Sequence, residues 1–130
     1  MPRLRLKDMS KKRVLLVDDS ATIRKALRPL FDSHPNFDVV GEAEHGGEAV
    51  EKAPRLRPDL IILDLSMPVM NGLEAAPRLL KILPNVDLIL FTAHDGPEVQ
   101  RLSRAAGIRA VVQKSDAAKH LVAQAEALVT

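Results

Sequence analysis

Residues 59 to 72 contain an uninterrupted aliphatic run, Leu60 to Leu63, that ends at one carboxylate, Asp64. Four apolar residues without polar alternation are typical of a strand that is buried on both faces, because a half-buried strand would alternate. Pro68 and the pair Asn71-Gly72 come next, and these residues favour a loop. The pattern therefore predicts an inner strand of a parallel sheet, with Asp64 where that strand meets solvent.

Four other short aliphatic segments resemble this one, and segments with helical periodicity separate them. We predict strands at residues 14–17, 37–41, 60–63, 86–91 and 110–113. We predict helices that open at Ser20, after Gly46-Gly47, after Asn71-Gly72, at Asp95-Gly96-Pro97 and at about Ser115 or Asp116. Five strands that alternate with five helices through short connections indicate an α/β protein: a doubly wound, five-stranded parallel sheet with helices on both faces.

Two details of the predicted helices can be checked in a structure. Pro29, Pro54 and Pro77 each fall inside a helix, where a missing N–H group and a ring clash cost roughly 3 kcal/mol, so we predict kinks or early ends there. In the fourth helix, we expect the apolar face to consist of Val99, Leu102 and Ala106, and the helix to reach Gly107.

The composition restricts the class of protein. The 130 residues suffice for one domain, and 46% of them are hydrophobic. The chain has three Phe and no Trp or Tyr, so it has few aromatic side chains that could stack on nucleic-acid bases. We therefore expect no nucleic-acid partner. The absence of Cys excludes disulfides and thiol chemistry, and no apolar segment is long enough for a signal peptide core or a membrane span. We therefore expect a cytoplasmic protein that does not bind membranes.

The positive charge is concentrated at the amino terminus. Residues 1–13 hold six of the 19 basic side chains and one acid, Asp8, whereas the remaining chain carries 13 basic and 16 acidic groups. We interpret residues 1–12 as a basic, flexible leader and residues 13–130 as the folded domain.

Polar side chains follow four of the predicted strands at the point where each one ends. Asp18 and Asp19 follow the first strand, Asp64 the third, Thr92 the fourth and Lys114 the fifth. Each has an ordinary explanation on its own, such as a capping acid or a solvated lysine. If the strand order is 2-1-3-4-5, however, the acids of the first and third strands converge on one crevice, beside Thr92 and Lys114.

Three carboxylates that close together repel one another unless a cation lies between them. Hard oxygen ligands at a solvent-facing cleft suit Mg²⁺, and the backbone carbonyl of Ser66 is a further candidate ligand. A carboxylate with a metal, an ammonium group and a hydroxyl beside it is suited to accept a phosphoryl group. We predict Asp64 as the nucleophile, Asp18 and Asp19 as metal ligands, and Lys114 and Thr92 as partners of phosphoryl oxygens.

These motifs resemble the receiver domain of bacterial response regulators, which has the flavodoxin-like fold with strand order 2-1-3-4-5. The resemblance covers roughly residues 13 to 128. It rests on VLLVDDS at 14–20, LIILDLSMP at 60–68 with NG at 71–72, FTA at 91–93 and VVQK at 111–114.

The resemblance implies that Asp64 takes a phosphoryl group, with Mg²⁺, from a phosphohistidine on a sensor histidine kinase or a histidine phosphotransfer protein. It also implies that the domain catalyses only its own phosphorylation and dephosphorylation, and is not otherwise an enzyme. Output would pass through a downstream protein or a second copy of the chain.

The chain departs from the family pattern at two positions. Val111 stands where the family usually has Tyr or Phe, so the usual aromatic switch coupled to Thr92 cannot operate. Ser115 replaces the common Pro, which leaves the isomer of the Lys114-Ser115 peptide open. By the same resemblance, Ser66 and His94 occupy positions that tune access of the hydrolytic water, although His94 is equally consistent with a solvated loop histidine.

Two other functions remain as alternatives. A metal-dependent phosphatase with an aspartyl nucleophile would require a second acid two residues after the nucleophile, and Ser66 occupies that place. A degenerate receiver that serves only as a protein-binding scaffold is mildly favoured by Val111 but disfavoured by the intact acids and Lys114.

Overall fold

The computed structural model describes residues 11–94 and 96–129. Five strands alternate with five helices along this part of the chain. The strands are β1 (Lys12–Val17), β2 (Phe37–Ala43), β3 (Leu60–Leu63), β4 (Asp87–Thr92) and β5 (Ala110–Gln113). The helices are α1 (Ala21–Asp32), α2 (Gly46–Leu56), α3 (Gly72–Ile82), α4 (Pro97–Ala105) and α5 (Ala118–Val129).

The strands form one parallel sheet in the order β2-β1-β3-β4-β5, which confirms the predicted fold class. Val17 pairs with Leu63, and Leu63 pairs with Leu90. The carboxyl ends of the three inner strands therefore lie level with one another. The strand order reverses between β1 and β3, and in sheets of this kind ligands bind outside the strand ends at such a switch point.

Alternate residues of the inner strands enter two separate cores. Ile61 and Leu63 pack with the apolar faces of α2, α3 and α4, whereas Leu60 and Ile62 pack with those of α1 and α5. All four side chains are buried, as the unbroken aliphatic run predicts. Burial on both faces holds β3 rigidly and fixes the position of the residue that follows it, Asp64.

The three internal prolines do not end their helices, so of the two predicted outcomes, kinks or early ends, the early ends were wrong and the kinks stay a prediction. Helix α1 continues from Pro29 to Asp32, and α3 continues from Pro77 to Ile82. Each proline lies on an exposed face of its helix, Pro54 included. Residues beyond the prolines are anchored in the cores; Phe31 and Leu79, for example, are fully buried. Burying a side chain of this size contributes about 1.5–3 kcal/mol, which offsets much of the local cost of the proline.

Some helix ends, and one buried position in α4, also differ from those predicted. Helix α5 begins at Ala118, two to three residues later than predicted, and α4 ends at Ala105. Val99 and Ala106 pack against the core, but Leu102 is 37% exposed while Ser103 is 1% exposed. The inward face of this short helix runs through positions 99, 103 and 106, which places Leu102 at its edge.

The proposed leader lies outside the described residues except for Lys11 and Lys12, and Lys12 already belongs to β1. None of the helices formed by residues 11–94 and 96–129 is long and apolar enough to cross a membrane.

Candidate functional site

The predicted acids come together at the carboxyl edge of β1 and β3. Asp18 and Asp64 directly follow the paired residues Val17 and Leu63, and the Asp64 N–H donates to the Val17 carbonyl at 2.9 Å. Carboxylate oxygens of Asp18, Asp19 and Asp64 all lie within 4.8 Å of one another. Asp18 and Asp64 are buried, whereas Asp19 is exposed. The site thus combines two fixed carboxylates with one that faces solvent.

Lys114 joins the acids from the other side of the crevice. Its backbone N–H donates to the Thr92 carbonyl at 2.8 Å, which aligns the end of β5 with the end of β4. Its Nζ atom lies 2.8 Å from Asp18 Oδ2 and 3.3 Å from Asp64 Oδ1. One ammonium group therefore bridges the two buried carboxylates.

The charges of the site are unbalanced. Burial raises the pKa of Asp64, and the nearby charge of Asp18 raises it further, while Lys114 opposes both effects. Burial alone would lower the pKa of Lys114, but hydrogen bonds and charges of Asp18 and Asp64 outweigh it and raise that pKa. Lys114 is therefore held in its charged form beside three carboxylates, and the site can accept a further cation.

Asp18 is held by several hydrogen bonds. Its Oδ1 atom accepts from the Ser20 N–H at 2.9 Å, and Ser20 in turn caps α1 through the Ile23 N–H, as predicted. Its backbone carbonyl accepts a hydrogen bond from Arg24 Nη1. Arg24 was not predicted as a site residue from the sequence. The signal available was a cation in the first turn of a helix that has no acid there, which is unfavourable for the helix dipole.

Thr92 and the loops after β3 and β4 form a second group of contacts. Thr92 is fully buried, and its hydroxyl oxygen accepts from the His94 N–H at 3.0 Å. The His94 ring extends to the other loop, where Nε2 lies 2.8 Å from Ser66 Oγ. The two candidate hydrolysis-tuning residues are therefore in direct contact.

Gly72 keeps the loop after β3 close to the acceptor. A Cβ atom at this position would lie 2.4 Å from the Asp64 carbonyl oxygen, so a side chain here would displace the loop. Next to the acids, Asp19, Leu65, Ser66, Met67, Pro68 and Asn71 line an open cavity of about 420 Å³.

The structure shows where Val111 lies and which isomer the Lys114-Ser115 peptide adopts. Val111 pairs with Leu90 and packs, half-buried, on the same core as Val99 of α4 and Ala106, the residue that follows this helix. It therefore occupies the sheet face that α4 covers. The Lys114-Ser115 peptide is trans, since the described residues contain no cis bond.

The donors present fit a small divalent cation. Three carboxylates supply hard oxygen atoms, one of the three is open to solvent, and the cavity beside them has room for water ligands. Mg²⁺ is bound in this way, through one or two carboxylates together with several water molecules.

The strand order, the helices on both faces and a polar site at the switch point define a flavodoxin-like α/β protein. The sequence model of the response regulator receiver domain matches residues 14–126, and the chain belongs to this family. It is accordingly a receiver domain of two-component signalling, a class of domains that generally interact with histidine kinases and phosphotransfer proteins.

Known proteins agree with this assignment. The chemotaxis protein CheY of Thermotoga maritima is 44% identical over 82 residues, which cover 63% of this chain and 68% of that protein. The receiver domain of Thermotoga maritima CheB superposes with a TM-score of 0.80 at 32% identity, covering 92% of this chain and 93% of that one. A LuxR-family response regulator from Aurantimonas reaches 0.87 at 32% identity, covering 92% and 86%.

A further group of relatives is much longer than this chain. The protein-glutamate methylesterase/protein-glutamine glutaminase of Geobacillus kaustophilus is 45% identical over 87 residues, 66% of this chain but only 25% of that protein. The chain therefore spans about a quarter of the length of such relatives. The comparisons favour neither the phosphatase nor the scaffold alternative.

Proposed function

We propose that Asp64 accepts a phosphoryl group from a phosphohistidine on a sensor histidine kinase or a histidine phosphotransfer protein. The observation that carries this proposal is the bridge from Lys114 to Asp18 and Asp64 inside a cluster of three carboxylates. In such a cluster, the carboxylate of Asp64 can act as the nucleophile while the positive charge of Lys114 is held beside it. Phosphoryl transfer depends chiefly on this kind of positioning and charge compensation.

In the transfer step, an ionised oxygen of Asp64 forms a bond to phosphorus while the bond from phosphorus to the imidazole nitrogen of the donor breaks. The imidazole leaves with the electron pair of that bond and takes up a proton. Lys114, which lies 3.3 Å from Asp64, is placed to pair with a phosphoryl oxygen. The Thr92 hydroxyl is the second donor that we assign to a phosphoryl oxygen; in the structure its oxygen accepts from His94.

We assign the metal site to the carboxylates of Asp18, Asp19 and Asp64, which lie within 4.8 Å of one another. The backbone carbonyl of Ser66 is the further ligand that we propose from the sequence. When bound, Mg²⁺ would neutralise charge on the carboxylates and on the phosphoryl oxygens. Asp19 is exposed, so water can reach its carboxylate and exchange there. Asp18 is buried, so its carboxylate keeps a fixed orientation.

Ser66 and His94 are assigned to the control of hydrolysis. Their hydrogen bond connects the loop that follows Asp64 with the loop that follows Thr92. A water molecule that attacks the phosphorylated Asp64 must approach near these loops, so this contact is placed to restrict that approach and to lengthen the lifetime of the modification. Output then passes to a downstream protein or to a second copy of the chain. The Val111 side chain is too small for the family's usual aromatic switch.

Phosphorylation can be tested with acetyl phosphate and Mg²⁺, followed by intact-protein mass measurement. We expect wild type to gain one phosphoryl group and Asp64→Asn to gain none. Asp38→Asn is the matched control, because Asp38 is an exposed acid on β2, away from the site. An unmodified wild type, or equal modification of Asp64→Asn, would overturn the proposal. Steady release of phosphate from a range of phosphoesters would instead indicate a phosphatase.

A further inference from the structure

Arg24 connects the loop that carries two of the acids to the neighbouring strand. Its Nη1 atom donates to the Asp18 carbonyl oxygen at 2.5 Å, and its Nε atom donates to Glu42 Oε1 at 2.9 Å. The Arg24 side chain is only 13% exposed. One planar guanidinium group therefore holds the backbone of a candidate metal ligand and the end of β2 at the same time.

Glu42 is itself firmly anchored. Arg28 Nη1 donates to its Oε2 atom at 2.6 Å, and Lys52 Nζ donates to its backbone carbonyl at 2.8 Å. Burial opposes ionisation of Glu42, but hydrogen bonds from Arg28 and Arg24 outweigh it and lower the pKa of this carboxyl. Glu42 is thus a charged, fixed support for the Arg24 side chain.

The position of Arg24 is explained by these partners and not by the stability of its helix. Arg24 lies in the first turn of α1, where the helix dipole disfavours a cation, and that turn contains no acid. The Asp18 carbonyl and Glu42 supply the favourable interactions for the guanidinium group.

Asp18 is held at every polar atom. Its N–H donates to the Ala43 carbonyl at 3.0 Å, and its two carboxylate oxygens accept from the Ser20 N–H and from Lys114. Arg24 completes this set at the carbonyl oxygen. The peptide that contains this carbonyl leads directly to Asp19, so the contact also orients the exposed acid.

We infer that Arg24 is a positioning residue for the metal site: it holds the Asp18-Asp19 loop in the geometry that binds Mg²⁺. This inference rests on the proposed function. Residues that orient metal ligands typically change metal affinity about 10- to 100-fold when they are substituted. The role requires arginine, because Nη1 and Nε reach two acceptors together, whereas a lysine has one nitrogen at the end of a flexible stem.

Arg28 offers a matched control within the same network. It also donates to Glu42, and it lies one turn further along α1, but its polar contacts are with Glu42 and Asp32 and not with the Asp18 loop. Loss of Arg28 should therefore weaken the ion pairs without releasing that loop.

The test measures Mg²⁺ binding by isothermal titration calorimetry for wild type, Arg24→Lys, Arg24→Gln and Arg28→Gln, with urea unfolding of each. We expect both Arg24 variants to raise the Mg²⁺ dissociation constant about tenfold or more. We expect Arg28→Gln to change it less than about twofold, even where it lowers stability equally, because metal affinity follows ligand orientation. Arg24→Lys keeps the charge and provides the readout if Arg24→Gln does not fold.

Phosphorylation rates from acetyl phosphate, measured against Mg²⁺ concentration, supply a second readout. The Arg24 variants should need more Mg²⁺ for half-maximal rate but approach the wild-type rate at saturation. Wild-type Mg²⁺ affinity in Arg24→Lys, or equal losses in Arg28→Gln, would overturn the inference while the proposed function stands. A wild type that neither binds Mg²⁺ nor accepts phosphate would overturn both.

Discussion

The Oγ atom of Ser66 lies 2.8 Å from the Nε2 atom of His94, although 28 residues separate the two in sequence. The contact joins the loop after the candidate acceptor to the loop after Thr92, whose hydroxyl oxygen accepts from the His94 N–H. A continuous set of contacts thus runs from a fully buried hydroxyl to an exposed loop beside the acceptor strand.

We predict that His94→Ala shortens the lifetime of the phosphorylated domain. Loss of the contact with Ser66 frees the approach to Asp64, and one hydrogen bond of about 1 kcal/mol corresponds to roughly a fivefold faster hydrolysis. The measurement is the decay of phosphorylated protein by intact mass after removal of the donor.

Ser66→Ala should have a similar effect, and the double variant should be no faster than either single one, because both remove the same contact. His120→Ala, an exposed histidine on α5, is the control and should leave the decay unchanged. A slower decay in His94→Ala would show that the imidazole holds the attacking water and does not exclude it.

Asp64→Asn is expected to stabilise the metal-free protein at neutral pH. The pKa of Asp64 is raised by burial and then by the charge of Asp18, so the folded state binds this proton more tightly than the unfolded state does. Ionised Asp64 therefore destabilises the fold, and stability falls as pH rises through the folded-state pKa. We expect a gain of about 1 kcal/mol in the free energy of unfolding.

Urea unfolding at several pH values tests this expectation, with Asp38→Asn as the comparison. The advantage of Asp64→Asn should shrink as the pH falls from the raised folded-state pKa towards the ordinary carboxyl value of 3.8, and should be lost below 3.8, where wild-type Asp64 is protonated in both states. A less stable Asp64→Asn at neutral pH would mean that the ion pair with Lys114 outweighs the cost of burial.

Glu48 should show the opposite dependence on pH. A hydrogen bond from Lys52, and another from the Glu44 backbone N–H, lower the pKa of Glu48. Its contribution is therefore complete above the ordinary value of 4.5 and is lost as pH falls through the lower folded-state pKa. We expect Glu48→Gln to lose about 0.5 kcal/mol at pH 7, and to match wild type in acid.

The control for Glu48→Gln is Glu51→Gln, at an exposed position on the same helix. It should change stability by less than about 0.3 kcal/mol at either pH. Equal losses from the two substitutions would indicate a general effect of helix charge and not the specific contacts of Glu48.

Val69 carries backbone strain in the loop after β3. It adopts φ of 66°, a region that β-branched residues rarely enter, and the residue is 82% exposed. Asn tolerates this conformation, so Val69→Asn should raise the free energy of unfolding by about 1 kcal/mol. Val69→Ile keeps the branched Cβ and should bring no gain; a matching gain in both variants would exclude strain relief as the cause. Urea unfolding measures each.

Much of the fold and site follows from local sequence pattern. The length of the aliphatic runs and the lack of helical periodicity in them predict strands. Residues such as Asp64 and Lys114 come directly after these strands, so a parallel sheet brings those residues to one edge. Thr92 and the acids Asp18 and Asp19 were assigned in the same way. The predicted placement of these residues is confirmed, because the end of a buried strand is fixed by its immediate neighbours in the chain, while their chemical roles stay predictions.

Other features depend on contacts between distant segments. The helices continue beyond Pro29 and Pro77 because residues further along are buried, and Ser103 faces inward where Leu102 was expected. The Arg24 contact with Asp18 depends on a side-chain rotamer and on Glu42 from another strand. A single sequence does not reveal which distant residues make these contacts, or which of two neighbouring helix positions they bury.

The sequence by itself determined the α/β class and the polar residues that follow each strand, because strand periodicity is local and repetitive. The resemblance to receiver domains implied the strand order 2-1-3-4-5 that brings these residues together. The tertiary structure alone decided which side chains bind one another: Lys114 across two acids, Ser66 with His94 and Arg24 with the Asp18 carbonyl. Those choices depend on distances of a few ångströms between loops, and only the packed cores set such distances.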